Sequence, residues 1–304
     1  MKATVIKSTG SNITVRDEVG EVYLCKVRGN FRIKDIDATN PVAVGDVVDV
    51  ELRDHTHFIT ALHERRNYII RKSVKLSKQV QILAANIDTA YVIATLVLPK
   101  TSTGFIDRFL ATAEAYNINA GIIINKIDLL EKDLLDEAEE LMKLYSALGY
   151  KVFLVSAFNA NDMSLLSAEI SGKVNLFSGH SGVGKSTLIN ALIPRLDLKT
   201  GQISRQHLTG KHTTTFAEMH ALPSGGYIID SPGIREFGIF DFDKYNVSHY
   251  FPEMFKLLPQ CRYNNCTHTN ENGCAVIKAV ERGDIAESRY NNYVSILNNE
   301  DFYK

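Results

Sequence analysis

Residues 179–187, GHSGVGKST, constrain the fold of this chain more than any other stretch. They match Gly-x-x-x-x-Gly-Lys-Ser, a loop whose glycines let backbone N–H groups wrap closely around phosphate groups. The pattern needs a strand before it and a helix after it, so that the positive helix N-terminus faces the phosphates. The apolar run VNLFS precedes the loop, and the helical pattern TLINALI follows it. The chain is therefore predicted to contain a phosphate-binding α/β unit.

The sequence around this loop alternates strand and helix patterns over residues 68–242. Buried-strand runs lie at 90–98, 120–125, 151–157, 173–179 and 226–230, and helical patterns lie at 105–117, 131–149 and 185–193. Such alternation indicates a doubly wound, mostly parallel sheet with helices on both faces. The run FAEMHAL is joined to the last strand by a PSGG turn, so an antiparallel hairpin is predicted at one edge of the sheet.

Residues 1–67 show the period-two alternation of short strands. Apolar and polar residues alternate in ATVIKS, NITVRD, EVYLCKV, GDVVDVEL and HFITALH, with Gly or Asn at several of the turns between them. About five strands in a segment this short favour a small closed β-barrel of the OB type. An SH3-like barrel fits the same pattern, and the pattern alone does not separate the two.

Residues 243–304 are predicted to form a helical zinc-binding module. Three of the four cysteines in the chain lie close together in the arrangement Cys261-x₄-Cys266-x-His268-x₅-Cys274. Three thiolates and one imidazole supply a closed tetrahedral Zn²⁺ site, which leaves no position for water and so indicates one structural ion per chain. The alternative is a set of three buried thiols with a surface histidine.

The phosphate loop and the motif DSPG that follows it predict the residues around the phosphates and Mg²⁺. Lys185 is expected to reach the β- and γ-phosphates, and the Ser186 hydroxyl to bind Mg²⁺. Asp230 of DSPG would hold Mg²⁺ through water, and the Gly233 N–H would face the γ-phosphate. The predicted nucleotide-binding residues of the loop are Gly179, His180, Ser181, Gly182, Val183, Gly184, Lys185, Ser186 and Thr187.

A threonine-rich stretch, GKHTTTF at 210–216, lies between these two motifs and has no apolar periodicity. Its position and composition are typical of a loop that becomes ordered when a nucleotide binds. One of its threonines is predicted to ligate Mg²⁺, with Thr214 favoured and Thr215 next. A solvated loop without such a role is the alternative.

The motif NKID closes a predicted strand and has the composition of a guanine reader. Asp128 would accept hydrogen bonds from guanine N1 and the exocyclic amine, Asn125 would face O6 and N7 or brace the loop, and the Lys126 stem would lie over the ring. Adenine would leave the carboxylate unpaired, which is how a site rejects an analogue strongly. The residues Ser156 and Ala157 end another strand, where the Ala157 N–H would meet guanine O6.

The guanine reader precedes the phosphate loop in this chain, whereas in most GTP-binding domains it comes later. Chain ends usually lie close together at domain surfaces, so a domain can be cut and rejoined elsewhere at little physical cost. A circularly permuted, P-loop GTP-binding domain is therefore predicted for residues 68–242.

The order NKID, SA, GHSGVGKS, HTTT and DSPG, flanked by a barrel and a Cys/His module, resembles the RsgA family of ribosome small subunit-dependent GTPases. The resemblance covers the whole chain. It implies a late-acting assembly factor that binds the small (30S) ribosomal subunit and its rRNA. It also implies that the subunit stimulates hydrolysis of GTP to GDP and phosphate.

The residue that positions the attacking water is not the usual one. In many GTPases a glutamine just after the DxxG motif does so, but Ile234 occupies that position here. His212 in the threonine-rich loop is the candidate, with a solvated histidine as the alternative. The predicted catalytic residues are therefore His212, Lys185 and Gly233.

Two basic stretches predict contacts with RNA. In the barrel, Lys26, Arg28, Arg32 and Lys34 surround Phe31, a mixture of basic and aromatic residues that suits RNA on an OB sheet. The segment after the barrel adds Arg65, Arg66, Arg71 and Lys72. A solvated charged face is the alternative reading of both.

The overall composition limits the classes of partner and the cellular location that fit this chain. The net charge of -1 gives no sign of nucleic-acid binding by the chain as a whole. No apolar run approaches the roughly 18 residues of a membrane span, and no signal-peptide core is present, so a cytoplasmic protein with no membrane partner is expected. A monomer is expected because nothing in the sequence indicates a coiled coil or a large apolar patch. A nucleotide-gated RNA-binding module and a metabolic P-loop kinase are the other functions considered, and NKID with SA argues against the kinase.

Overall fold

The computed structural model describes residues 1–9, 12–27, 41–72, 80–198, 217–231 and 243–298, with the backbone alone for 71–72 and 80–81. The strands are β1 (Lys2–Thr9), β2 (Asn12–Asp17), β3 (Val22–Val27), β4 (Val47–Arg53), β5 (Thr56–Leu62), β6 (Tyr68–Lys72), β7 (Val80–Ala85), β8 (Thr89–Ala94), β9 (Asn119–Asn125), β10 (Lys151–Val155), β11 (Val174–Gly179), β12 (Glu218–Ala221) and β13 (Tyr227–Asp230). The helices are α1 (Thr103–Ala115), α2 (Lys132–Ala147), α3 (Ala160–Ile170), α4 (Lys185–Leu192), α5 (Pro252–Phe255), α6 (Ala275–Glu281) and α7 (Glu287–Leu297).

The central sheet has the strand order β10-β9-β8-β11-β13-β12, and every neighbouring pair except β12–β13 is parallel. Strand β8 lies in the middle and is buried along its whole length, as a strand covered on both faces must be. One face packs against α1 and α2, and the other against α3 and α4. The predicted doubly wound sheet is confirmed, including its antiparallel hairpin.

The N-terminal barrel closes in the order β1-β2-β3-β5-β4, with β4 pairing back to β1. All its described pairs are antiparallel except β3–β5, which is parallel. This order is that of an OB barrel, so the pairing decides the question that the sequence pattern left open. Small and β-branched side chains fill its interior, for example Val5, Val15 and Ile59.

Strand β12 is not an edge strand, contrary to the prediction. Lys7 of β1 pairs antiparallel with Glu218 of β12, so the barrel continues the central sheet beyond the hairpin. A Lys7–Glu218 ion pair of 3.0 Å accompanies this pairing. The short hairpin β6–β7, a separate two-stranded sheet, lies in the chain between the barrel and β8.

The C-terminal module packs its own apolar core against α1. Phe251, Met254, Tyr293 and Ile296 are buried there, together with Ala111 of α1. A buried ion pair joins the same surfaces: Arg289 of α7 donates from Nη1 to Asp107 Oδ1 of α1 at 2.6 Å. The module is therefore held on the domain that contains the central sheet by both apolar and charged contacts.

Within the described ranges, no helix is both long enough and apolar enough to cross a membrane.

Candidate nucleotide site and metal centre

The phosphate loop leaves β11 at Gly179 and enters α4 at Lys185, as its sequence predicts. Two of its glycines have no space for a side chain. A Cβ at Gly179 would lie 2.7 Å from the Ile93 carbonyl oxygen, and one at Gly184 would lie 2.6 Å from Asn125 Nδ2. Gly184 also has a φ of +88°, which favours glycine. Steric contacts therefore fix the shape of the loop from both sides.

The NKID turn supports the phosphate loop directly. Asn125 Nδ2 donates to the Val183 carbonyl at 2.9 Å, and Lys126 Nζ donates to the Gly182 carbonyl at 2.7 Å. Lys126 itself has a left-handed backbone with a φ of 65°, a conformation that is costly for a non-glycine residue and typical of functional sites. Of the two roles predicted for Asn125, the described contacts show the bracing one, and its Oδ1 is buried with no hydrogen-bond partner among the described residues.

Asp128 opens into a cavity of about 610 Å³ between the NKID turn and the start of α3. Its lining residues are Ile127, Asp128, Leu135, Ser156, Phe158, Asn159, Ala160 and Asp162. The structure thus brings Asp128 and Ser156 together, as the sequence predicts. Their strands, β9 and β10, are parallel neighbours that end at the same edge of the sheet. Ala157 lies in the same loop and is partly buried.

Hydrogen bonds to the backbone and the side chain of Ser156 hold the turn after β10. The Ser156 N–H donates to Asp162 Oδ2 at 2.8 Å, and Ser156 Oγ accepts from the Phe158 N–H at 3.2 Å. No sequence motif points to Phe158 or Asp162. A signal existed in the SAFNAND stretch, because Asn159 is an N-cap residue that predicts a helix start next to the base reader.

The two residues predicted to face the phosphates and Mg²⁺ meet each other. Lys185 Nζ forms an ion pair with Asp230 Oδ1, and both side chains are largely shielded from solvent. Asp230 ends β13 directly beside Phe177 of β11, so adjacent parallel strands deliver both groups. Ser231, the next residue, is buried and contacts Ser178 Oγ at 3.1 Å. The structure therefore brings the ammonium of Lys185 and the carboxylate of Asp230 into direct contact.

Ser186 and Thr187 lie in the first turn of α4, and Ser181 and Gly182 are exposed on the loop. The His180 ring packs against Phe105 at the start of α1, with ring centroids 4.0 Å apart. The predicted residues His212, Thr214, Thr215 and Gly233 lie outside the described residues.

The predicted RNA contacts are only partly described. Lys26 is exposed, whereas Arg28, Phe31, Arg32 and Lys34 lie outside the described residues, and for Arg71 and Lys72 the backbone alone is given. Arg66 is exposed and pairs with Asp88 at 2.8 Å.

Arg65 is a correction to the predicted RNA-contact set. Its side chain is 7% exposed, and its Nε and Nη2 each lie 2.6 Å from a carboxylate oxygen of the fully buried Asp46. A further hydrogen bond joins Nη2 to the Pro41 carbonyl at 3.2 Å. Because this guanidinium stabilises a buried carboxylate inside the protein, it is not available to a phosphate.

The Cys/His cluster converges in space. The ligand atoms of Cys261, Cys266, His268 and Cys274 all lie within 4.8 Å of one another. His268 Nδ1 lies 3.3 Å from Cys274 Sγ and 3.7 Å from Cys261 Sγ. A tetrahedral zinc ion with Zn–S bonds of about 2.3 Å places its ligands about 3.8 Å apart, so the donor set fits Zn²⁺.

The surroundings of the cluster also suit a cation. Backbone N–H groups of Ala275 and Ile277 approach the sulfurs of Cys261 and Cys274 at 3.4 Å, which stabilises thiolates. Burial is the main cause that raises the pKa of the Cys266 thiol to about 12, and the neighbouring Cys274 and Glu271 add to the rise. A buried thiol of this kind ionises only where a cation offsets the loss of solvation, which is what a metal ion supplies.

The cluster is held in place by groups that are not ligands. Tyr290 donates to the His268 carbonyl at 2.7 Å, and Tyr293 donates to the Thr267 carbonyl at 2.6 Å. Glu271 accepts from the Thr267 N–H at 2.6 Å, and the pKa of its carboxyl falls to about 2 because several hydrogen bonds to its loop outweigh desolvation. These contacts fix the backbone on either side of His268.

Comparison with known proteins gives a consistent result over the full length. The RsgA GTPase family model matches residues 62–240, and the RsgA N-terminal domain model matches residues 2–58. A protein of Bacteroides fragilis named small ribosomal subunit biogenesis GTPase RsgA is 52% identical over 302 residues, covering 99% of this chain and 97% of that protein. The protein of the same name from Flavobacterium johnsoniae is 51% identical over 305 residues, with 99% and 94% covered.

Two solved structures share the fold. The crystal structure of YjeQ from Thermotoga maritima superposes with a TM-score of 0.80 at 34% identity and covers 98% of this chain and 97% of that one. The structure of YloQ, described as a circularly permuted GTPase, gives a TM-score of 0.75 at 29% identity, with 98% and 94% covered.

Proposed function

The chain belongs to the RsgA GTPase family, and from that membership we propose that it hydrolyses GTP to GDP and phosphate on the small ribosomal subunit, whose assembly it assists at a late stage. The observation that carries the proposal is the contact between the two nucleotide motifs. Asn125 and Lys126 hydrogen-bond to the carbonyls of Val183 and Gly182. A group bound at Asp128 and one bound at the phosphate loop are thereby held at a fixed spacing, which suits a guanine nucleotide.

Each residue around the phosphate loop is proposed to bind a different part of the triphosphate or its Mg²⁺ ion. Lys185 exchanges its pairing with Asp230 for the β- and γ-phosphates, and backbone N–H groups of 180–184 cradle the chain of phosphates. Ser186 and Asp230, with Thr214 or Thr215, would hold Mg²⁺. The ion would offset the negative charge that develops on the phosphate groups during hydrolysis. Gly233 would offer its N–H to the γ-phosphate. Preorganised donors of this kind stabilise charge where it develops in the transition state.

His212 is the proposed water-positioning residue, since Ile234 has no polar group for that purpose. We expect His212→Ala to lower subunit-stimulated GTP turnover by at least about tenfold. The affinity for GDP should not change, because positioning the water contributes to the transition state and not to binding. Multiple-turnover rates and GDP titrations on the same preparations measure both quantities. Stimulated turnover equal to that of the unaltered protein would exclude this role.

The flanking parts are proposed to serve the ribosome contact. The barrel, residues 1–67, would present Lys26, Arg28, Phe31, Arg32 and Lys34 to rRNA, with Arg66, Arg71 and Lys72 beside it. Arg65 is left out of this set because of its burial. The module at 243–304 would hold one structural Zn²⁺. The proposal also includes a monomeric state and action in the cytoplasm. The ribosome-biogenesis names of its relatives support the location.

The decisive experiment is GTP turnover by the purified protein, alone and with small ribosomal subunits, with ATP as the control nucleotide. We expect slow turnover of GTP alone and a rise of at least about tenfold with subunits, since a partner that stabilises the transition-state charge can raise GTP hydrolysis by several orders of magnitude. ATP turnover should not rise, because adenine leaves the Asp128 carboxylate without its partners. GTP binding without stimulation would indicate a nucleotide-gated RNA-binding protein, and turnover of ATP would indicate a kinase-type site.

A further inference from the structure

Phe158 has an environment that the fold does not explain. Its side chain is 83% exposed, the highest value among the exposed phenylalanine and tyrosine side chains of the described residues. Apolar surface in water is unfavourable, so an exposed aromatic ring contributes nothing to the stability of the fold. A single exposed apolar side chain is common in proteins, and the position of this one is what gives it meaning.

The backbone of Phe158 is fixed although its side chain is free of the core. Its N–H donates to Ser156 Oγ at 3.2 Å, and the Asn159 N–H donates to the Ser156 carbonyl at 3.0 Å. Asn159 in turn caps α3, accepting from the N–H of Asn161 at 2.9 Å. The ring is therefore carried by a well-anchored turn at the end of β10.

The ring lines the same cavity as the base-reading carboxylate. Phe158 and Asp128 come from neighbouring loops at one edge of the sheet, and the cavity between them has a volume of about 610 Å³. Pockets for small ligands typically measure about 300–1,000 Å³ and combine apolar walls with a few polar groups. A carboxylate that binds the edge of a purine leaves the faces of the ring to other side chains. The Lys126 stem is predicted to cover one face, and no residue named so far covers the other. An aromatic side chain on the wall of the cavity would cover that face.

We propose that Phe158 stacks on the guanine base and determines part of the affinity of the site through the face of the ring. The inference rests on the proposed guanine-nucleotide function and extends it to a residue that no sequence motif identified. Stacking is insensitive to the substituents on the edge of the base, whereas Asp128 reads those substituents. The two residues therefore predict different patterns of nucleotide preference.

The test compares the dissociation constants of the full-length protein for GDP and IDP, measured by isothermal titration calorimetry. IDP lacks the exocyclic amine but has the same ring faces. We expect Phe158→Ala to weaken both nucleotides by the same factor, about 5- to 150-fold. Phe158→Tyr should retain most of the affinity, because it keeps the aromatic face. Asp128→Asn should change the ratio between GDP and IDP, because it alters the edge contact.

A matched control is Leu165→Ala on α3, a side chain that is 69% exposed and does not line the cavity. It should leave both dissociation constants unchanged. When the rate is measured over a range of GTP concentrations, Phe158→Ala should raise KM and leave kcat close to that of the unaltered protein. A general disturbance of the site would also lower kcat.

Two results would overturn the stacking role while the function stands. One is a Phe158→Ala variant that binds GDP as tightly as the unaltered protein, and the other is a loss confined to GDP. An unaltered protein that binds GDP no better than ADP contradicts the proposed function itself, and the inference fails with it.

Discussion

Cys266→Ala is expected to abolish zinc binding and to unfold the C-terminal module, while the central sheet stays folded. A closed tetrahedral site that loses one thiolate no longer surrounds the ion, and the remaining buried donors lose their counter-charge. Zinc binding contributes about 10–16 kcal/mol in finger peptides, which is comparable with the whole stability of a small domain. Cys266 and Cys274 also belong to the apolar core that contains Phe251 and Tyr293. Loss of the metal site should therefore disrupt the packing of this core as well.

Metal analysis and thermal unfolding of the full-length protein measure this effect. The unaltered protein should contain about one zinc ion per chain, and the variant should contain almost none. Cys25→Ala is the matched control, because Cys25 is also a fully buried thiol but lies in the barrel core. It should leave the zinc content unchanged. A Cys266→Ala protein that keeps its zinc, or a zinc-free protein that unfolds like the intact one, would contradict the assignment.

Arg289→Met is expected to destabilise the protein by about 3–5 kcal/mol, because it leaves two buried carboxylates unpaired. Arg289 is 1% exposed and lies between Asp107 of α1 and Glu253 of α5, with hydrogen bonds of 2.6 and 2.7 Å. Asp107 is fully buried and also accepts from Tyr145 at 2.7 Å and from Asn292 at 2.6 Å. Desolvation raises the pKa of the Asp107 carboxyl even with these partners present. The charge of Arg289 is the largest contribution that opposes this rise, so its removal leaves the buried carboxylate least stabilised.

Urea unfolding of the two purified proteins gives the free-energy difference. Arg282→Met is the control, because Arg282 forms its 2.8 Å ion pair with Asp284 at a site where both side chains are about 60% exposed. Exposed pairs of this type contribute about 0–1 kcal/mol. If the two substitutions cost the same, the buried network does not hold the module on α1.

Helix α1 contacts both the phosphate loop and the C-terminal module. Phe105 in its first turn packs on His180 of the phosphate loop, and Asp107, two residues later, binds Arg289 of the C-terminal module. Loss of the Arg289 contact is therefore expected to affect a helix that also borders the nucleotide site.

The sequence identifies motifs well because each depends on a few consecutive residues. The glycines of the phosphate loop, the NKID turn and the Cys/His spacing have local chemical requirements, and the structure brings the groups of each set together. Helix α3 was missed, because its pattern spans only Ala160–Ile170 and its strongest signal is the single N-cap Asn159. Phe158 was missed for a related reason, since no spacing rule identifies an isolated aromatic residue.

Residue contacts between distant parts of the chain were beyond sequence reasoning. Arg65 stands in a basic stretch that suggests a surface, yet the fold places it on Asp46, which lies 19 positions earlier. Strand β12 has the pattern of an edge strand, yet Lys7 from the far end of the chain pairs with it. In both cases the sequence supplies the side chain, and its partner is known only once the chain has folded.

The amino-acid sequence is enough to predict a phosphate loop, a guanine reader placed before it, a cysteine and histidine donor set, and strands with the periods of a barrel and a parallel sheet. These follow from local stereochemistry and from which residue types bind phosphate, purine or zinc. The folded structure was needed to show which charges are buried, that the barrel continues the central sheet, and that Phe158 shares a cavity with Asp128. Those facts depend on pairings between residues far apart in the chain, which packing and loop closure select together.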